Sequence, residues 1–336
     1  MTEGTLPPLA LSLGDPAGIG PELIAQAWAQ RGAEGLPPFF VMGGASVLRA
    51  AAEQRGLNVP ITRISAPEEA SACFATSLPV LGNADGAYRP GAPDEDGAKL
   101  ALASLQEATD QVVQGDADAL VTGPVAKSRL AEIGFQFPGQ TEFVADACQV
   151  AAGDAVMMLA GPNLRTIPLT VHLPLAQVPD RLTSVMIERK GRIAALALMR
   201  DFGIRAPRLA FTGLNPHAGE DGRMGDEEAR IIAPAIAALQ AEGIDASGPH
   251  PADALFTPRA RETYDVALCM YHDQALIPIK TLDFDAGVNV TLGLPIIRTS
   301  ADHGTAFSIA GKGLADPGAT IAAIRMAGEC AARRGG

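Results

Sequence analysis

Short apolar runs alternate along the chain with longer stretches in which apolar residues recur every three or four positions. The runs LALSLG (9–14), FFVMG (39–43), ADALVTG (117–123), AVMMLAG (155–161), TIPLTVH (166–172), RLAFTGLN (208–215) and DVALCMYH (265–272) predict strands. The stretches PELIAQAWAQRG, ASVLRAAAEQRG, GAKLALASLQEATDQVVQG, TSVMIERKGRIAALALMRDFG and EEARIIAPAIAALQAEG carry the helical period, and a last helix is predicted over 318–333. Strand–helix alternation of this kind predicts an α/β fold with a largely parallel sheet. No internal repeat or low-complexity linker interrupts it. The Pro/Gly-rich stretch GNADGAYRPGAPDEDG (82–97) reads as a surface loop.

Composition narrows the class. Of 336 residues, 47% are hydrophobic, enough for a sizeable core and for two lobes or one large α/β domain. No apolar run approaches the roughly eighteen residues of a membrane span. The first residues, MTEGTLPPLALSLGD, carry no basic segment of a signal peptide, so a cytoplasmic protein is expected. The net charge of −12 argues against a nucleic-acid binder, which needs a basic footprint. It leaves room for anionic ligands at a local cluster of Arg and Lys. The cysteines Cys73, Cys148, Cys269 and Cys330 form no CxxC pair and are expected to be free thiols.

The candidate chemistry gathers at strand ends, where open α/β sheets collect their ligands. Of five histidines, three stand there: His172 ends TIPLTVH, His217 follows RLAFTGLNP, and His272 ends DVALCMYH. One such imidazole is explained by hydrogen bonds at a strand end. Three together suit one divalent metal ion. His250, in SGPHPADALF, lacks that setting and reads as structural. Asp273, adjacent to His272, and Asp253, in GPHPAD, are candidates to orient an imidazole, ligate a metal or accept a proton. The loop TGPVAKSR (122–129), the segment PGQTEF (138–143) with Gln140 and Thr141, and Lys280, Asn289 and Arg298 supply the cations, amides and hydroxyl that a phosphorylated carboxylate needs. GDPAGIGPE (14–22) is glycine-rich, but Gly14, Gly18 and Gly20 do not form a Rossmann fingerprint. DHGTAFSIAGKG (302–313) is a second glycine-rich loop.

The blocks GDPAGIGPE, TGPVAKS, PGQTEF, LNPHAGEDGRMGDEE, GPHPADALF, YHDQALIPIK, GVNVTLGLPIIRTSADHGTAF and AGKGLADP occur in this order over residues 9–330. Together they resemble the 4-hydroxythreonine-4-phosphate dehydrogenase family of vitamin B6 biosynthesis. The resemblance implies a three-layer α/β/α fold like that of the isocitrate and isopropylmalate dehydrogenases, with two lobes and a cleft between them. That fold binds NAD without a Rossmann fingerprint. Residues 1–130 with 290–336 would form an NAD-binding lobe, and 131–289 a lobe for metal, substrate and dimerisation.

Carried over, the metal ligands fall on His172, His217 and His272. The third, His272, would come from the partner of a homodimer, so that the site lies at the interface. Substrate contacts fall on Gln140, Thr141, Lys280, Asn289 and Arg298, and His303 and Gly304 would lie against the adenosine of NAD, with NADP as an alternative. Gln140 departs from the family's usual histidine and would give the substrate phosphate a neutral donor. Asp253 and Asp273 remain alternative proton acceptors. The implied reaction is oxidation of the C3 hydroxyl of a phosphorylated amino acid, aided by Zn²⁺, Mg²⁺ or Co²⁺, then decarboxylation to 3-amino-2-oxopropyl phosphate. Neither nucleic acid nor membrane is an expected partner. A relative acting on D-threonate or D-erythronate 4-phosphate is the alternative. A phosphate acyltransferase or a non-catalytic metabolite-binding protein would not need the three histidines.

Overall fold

The computed structural model describes residues 7–335. The chain divides into two compact units, one of Met1–Ala152 with Leu294–Gly336, the other of Gly153–Gly293. Twelve strands are present among the described residues: β1 (Leu9–Ser12), β2 (Phe39–Met42), β3 (Ile61–Ile64), β4 (Leu78–Leu81), β5 (Ala119–Thr122), β6 (Val156–Ala160), β7 (Arg165–Pro168), β8 (Arg208–Thr212), β9 (Asp245–His250), β10 (Val266–Cys269), β11 (Val288–Leu292) and β12 (Ile297–Ala301). Both units are α/β.

In the first unit the strand order is β3-β4-β2-β1-β5-β12, parallel throughout. β1, β2, β4 and β5 are buried at every position. Continuous burial is what a parallel strand covered on both faces shows, and it explains why these runs do not alternate. β3, at the edge, exposes Thr62 and Arg63. The helix Glu95–Gln114 starts where Asp94 accepts a hydrogen bond from Gly97 N (2.8 Å), with Glu95 and Asp96 favoured by the helix dipole, and stops at left-handed Gly115. Its buried Ser104 accepts from Leu13 N (2.8 Å) and donates to Met42 O (2.6 Å), which ties together the chain leaving β1 and β2. Residues 131–152, expected in the second lobe, belong to the first unit, where the helix Gln140–Ala147 packs against Glu95–Gln114.

In the second unit the order is β11-β6-β7-β10-β8-β9. β6 runs antiparallel to β11 and β7, and the other pairs are parallel. The helix Ser184–Phe202 is capped by Thr183 and ends at left-handed Gly203. The core under β6, β8 and β10 includes Leu159, Ala210, Ala267, Cys269, Ala275 and Ile279. All four cysteines are free, as expected, and Cys269 is buried. The predicted strands that lead to histidines end early. β7 stops at Pro168 and β10 at Cys269, so His172 lies beyond its strand and His272 opens a helix, His272–Leu282. Among the described residues no helix is long and apolar enough to cross a membrane.

Candidate active site

In the first unit three loops meet backbone to backbone at the strand ends. Asp15 N donates to Pro124 O (2.8 Å) and Ile19 N to Thr305 O (3.0 Å). A Cβ on Gly14, whose φ is +75°, would stand 2.8 Å from Pro124 O, and one on Gly18 would stand 2.8 Å from Thr305 O. Only glycine admits that approach. The loop after β12 is pinned further on. Glu22 Oε1 accepts from Gly311 N (3.1 Å), Gln54 Nε2 donates to Gly311 O (2.7 Å), and Ala310 and Ala315 pack on Ile19 and Leu23. His303 Nδ1 lies 3.1 Å from Gly304 O, an acceptor, so Nδ1 carries the proton. Its Nε2 is buried without a hydrogen-bond partner, and the space where Gly304 would carry a Cβ is open. A buried acceptor left without a partner suits a bound polar group such as an adenosine. Asp15, also buried, has its carboxyl pushed above the ordinary range by burial.

The same unit builds a cationic cradle. Arg298 on β12 is only 4% exposed. Its Nη2 donates to Thr122 Oγ1 (2.8 Å) and Gln140 Oε1 (3.4 Å), and its Nη1 to Thr141 Oγ1 (3.3 Å). Burial pushes the guanidinium down to about 10, and the charge of Glu142 opposes the shift. Gln140 Nε2 donates to Gly123 O (3.0 Å). These two bonds fix its amide, because a flip would set oxygen against oxygen and N–H against guanidinium.

In the second unit the chain leaving β7, β8 and β10 is stitched together. Thr170 Oγ1 donates to Met270 O (2.8 Å). Buried Gln274 accepts from Met270 N (2.7 Å) and Thr212 Oγ1 (2.7 Å), and donates to Gly213 O (2.8 Å). His172 and His272 face each other with ring centroids 5.6 Å apart. Two imidazoles on one tetrahedral ion, each with a nitrogen about 2.0–2.1 Å from it, stand roughly 5 Å apart, so this pair fits two corners of such a site. Asp273 Oδ1 lies 2.7 Å from His272 Nδ1. A carboxylate can only accept here, so Nε2 keeps its lone pair for a metal. His217 lies on a separate loop. No three His, Cys, Asp or Glu side chains among the described residues are grouped to hold a metal within one chain.

Asp253 is exposed in the first turn of Ala252–Leu255. Lys280 is exposed on the helix that His272 opens, seven residues and so two turns beyond Asp273 on the same face. Asn289 Oδ1, on β11, is buried without a hydrogen-bond partner. Gln274, an amide inside an otherwise apolar stretch, was missed by sequence reasoning, and Thr122 was included only as the first residue of the TGPVAKSR loop.

Comparison with known proteins places this geometry. Residues 36–327 match the family described as pyridoxal phosphate biosynthetic protein PdxA. The chain is 63% identical over 327 residues to the 4-hydroxythreonine-4-phosphate dehydrogenase of Erythrobacter litoralis, covering 97% of both chains. It is 54% identical to that of Zymomonas mobilis, covering 97% of this chain and 96% of the other. The chain belongs to the PdxA family of 4-hydroxythreonine-4-phosphate dehydrogenases. Its fold is theirs too. The crystal structure of the Klebsiella pneumoniae member matches with TM-score 0.86 at 37% identity, covering 98% of this chain and 99% of that one. A PdxA member is an oxidoreductase, and the strand-end clusters described above are its candidate working parts.

Proposed function

We propose that this PdxA-family enzyme oxidises the C3 hydroxyl of 4-phosphohydroxy-L-threonine with NAD⁺ and a divalent metal, and that the 3-keto acid then loses CO₂ to give 3-amino-2-oxopropyl phosphate. The observation that carries the reading is Arg298, a cation buried among hydroxyl and amide acceptors in a chain of net charge −12. A buried charge is costly to keep, and a site for an anionic substrate is a reason to keep it.

Arg298 and Thr141 bind the substrate's anionic end. Lys280 adds a second cation, and Asn289 offers its unsatisfied amide oxygen to a substrate donor. His303 and Gly304 receive the adenosine. His303 and Gly304 would thus place NAD⁺ as the hydride acceptor, and His172, His217 and His272 would hold a metal ion that would supply Lewis acidity at the hydroxyl. Asp273, already bonded to His272, orients that imidazole. Asp253 is then the carboxylate left to accept the hydroxyl proton. The histidine set is completed between two chains of a homodimer. NADP⁺ is a competing cofactor for the assay to resolve.

The test compares Asp253→Asn with Asp273→Asn. The first should lower kcat at every metal concentration. The second should be offset in part by excess metal. The reverse pattern exchanges the two roles. D-threonate and D-erythronate 4-phosphates belong in the same assay, because the neutral Gln140 keeps that alternative open.

A further inference from the structure

The loop that carries His217 has the least ordinary backbone in the second unit. His217, Ala218, Gly219, Glu220 and Asp221 have φ of 53°, 51°, 81°, 44° and 55°. Four of the five are not glycine, and residues with a Cβ take the left-handed region singly and at a cost, not in runs. Such a run persists only where its surroundings over-determine it.

The surroundings are a carboxylate. Glu228 is 6% exposed. Its Oε1 accepts from Leu214 N and Asn215 N, both at 2.8 Å, and its Oε2 accepts from Asn215 Nδ2 at 3.0 Å. Glu227 Oε2 holds the same amide at 2.7 Å. A Cβ on Gly219 would stand 2.7 Å from Glu228 Oε2, and one on Gly213 would stand 3.1 Å from Oε1, so the loop is wound directly around the carboxylate. Glu228 itself opens a π-helical turn, Glu228–Ile232, just ahead of Pro234. Proline lacks the N–H of a regular helix, which accounts for the widened turn.

We propose that Glu228 is a positioning residue: its buried carboxylate holds the 213–225 loop in the left-handed state and so presents His217. The functional half of this proposal rests on the reading of His217 as a metal ligand. The structural half does not. Arg223 is exposed within the loop, so trypsin reports on loop order without any metal.

The experiment compares wild type with Glu228→Ala and Glu228→Gln by two readouts. One is the rate of native-state tryptic cleavage after Arg223. The other is Co²⁺ affinity from the visible absorption of the bound ion, with His217→Ala as control. Glu228→Ala should be cut at least tenfold faster and should bind Co²⁺ about 10–100-fold more weakly, the usual effect of removing a group that orients a ligand. Glu228→Gln keeps one acceptor oxygen but sets its NH₂ against Asn215 Nδ2, so it should fall between. It decides the matter if the alanine variant does not fold. Adding Ala218→Gly and Glu220→Gly to Glu228→Gln should restore protection, because glycine takes positive φ freely. Wild-type cleavage and Co²⁺ affinity in both Glu228 variants would overturn the proposal. Should His217→Ala bind Co²⁺ like wild type, the metal reading falls alone, and the cleavage rates still decide the role of Glu228 in the loop.

Discussion

Replacing Arg298 by Met should leave the stability of the protein nearly unchanged and make it unable to hold its substrate. The fall of the guanidinium from its ordinary 12.5 to about 10 sets the scale. At about 1.4 kcal/mol for each pKa unit, keeping the charge inside costs on the order of 3 kcal/mol. The substitution also removes hydrogen bonds to Thr122, Thr141 and Gln140. A hydrogen bond to a charged group contributes about 1.5–3 kcal/mol and less where it is long, so these bonds return on the order of 3 kcal/mol. The two amounts nearly cancel, so stability should change by no more than about 1 kcal/mol, as is usual when a buried charge gives way to an apolar side chain of similar size. Urea unfolding of Arg298→Met and wild type in phosphate-free buffer measures it. A phosphate monoester at about 100 times its Kd should then stabilise wild type by about 2.7 kcal/mol and leave the variant unmoved. A loss of more than about 3 kcal/mol without ligand, the cost of breaking a well-compensated buried charge, would refute the burial argument. An equal response to the ligand would refute the role of Arg298 in binding it.

Other outcomes follow from the same coordinates. Asp15 is held above its ordinary 3.8 by burial, with the Ala17 N–H opposing, Asp94 adding and Arg129 opposing. A raised folded-state value means its contribution to stability is complete below the unfolded value and is lost as pH rises through the folded one. Asp15→Asn, which keeps an acceptor for Ala17 N, should therefore melt higher than wild type at pH 7 and lose that advantage near pH 4; equal melting at both would contradict this. Gln140→His tests a sign. A histidine donating straight to the phosphate would gain affinity as pH falls from about 7.5 to about 6, but here the side-chain oxygen faces Arg298, so protonation sets a cation against a cation. The KM of the variant relative to wild type should rise over that range, and a fall would restore direct contact. If two chains share the histidines, mixed dimers of His217→Ala and His272→Ala should regain activity in complete sites, and verified heterodimers with none would confine the ligands to one chain.

What the sequence made legible follows hydrophobicity. β1, β2, β5, β8 and β10 were visible because buried parallel strands are continuous apolar runs, and β6, antiparallel to both its neighbours, because it too is apolar along its whole length. β11 and β12 were not assigned, because Asn289 and Arg298 break the apolar pattern. β9, DASGPH, has almost no apolar residue, since it is an edge strand paired only with β8. The helix His272–Leu282 was hidden by Pro278 inside it. The site was legible as residue types at strand ends, and the resemblance gave them roles. The sequence pattern alone gave no sign that Gln140 bridges Arg298 and Gly123, that Gln274 joins the ends of β8 and β10, or that Glu228 sits inside the His217 loop. Those are contacts between residues distant in sequence or coiled by positive φ, and no periodicity reports them.

The most direct test of the central claim is turnover itself. Protein is mixed with NAD⁺, a divalent metal and, in turn, 4-phosphohydroxy-L-threonine, D-threonate 4-phosphate and D-erythronate 4-phosphate, and both reduced nicotinamide and CO₂ are followed. The proposed reaction gives metal-dependent reduction matched mole for mole by CO₂, with the highest kcat/KM for 4-phosphohydroxy-L-threonine. A higher kcat/KM for either sugar-acid phosphate, or undiminished turnover in chelated protein, would contradict it.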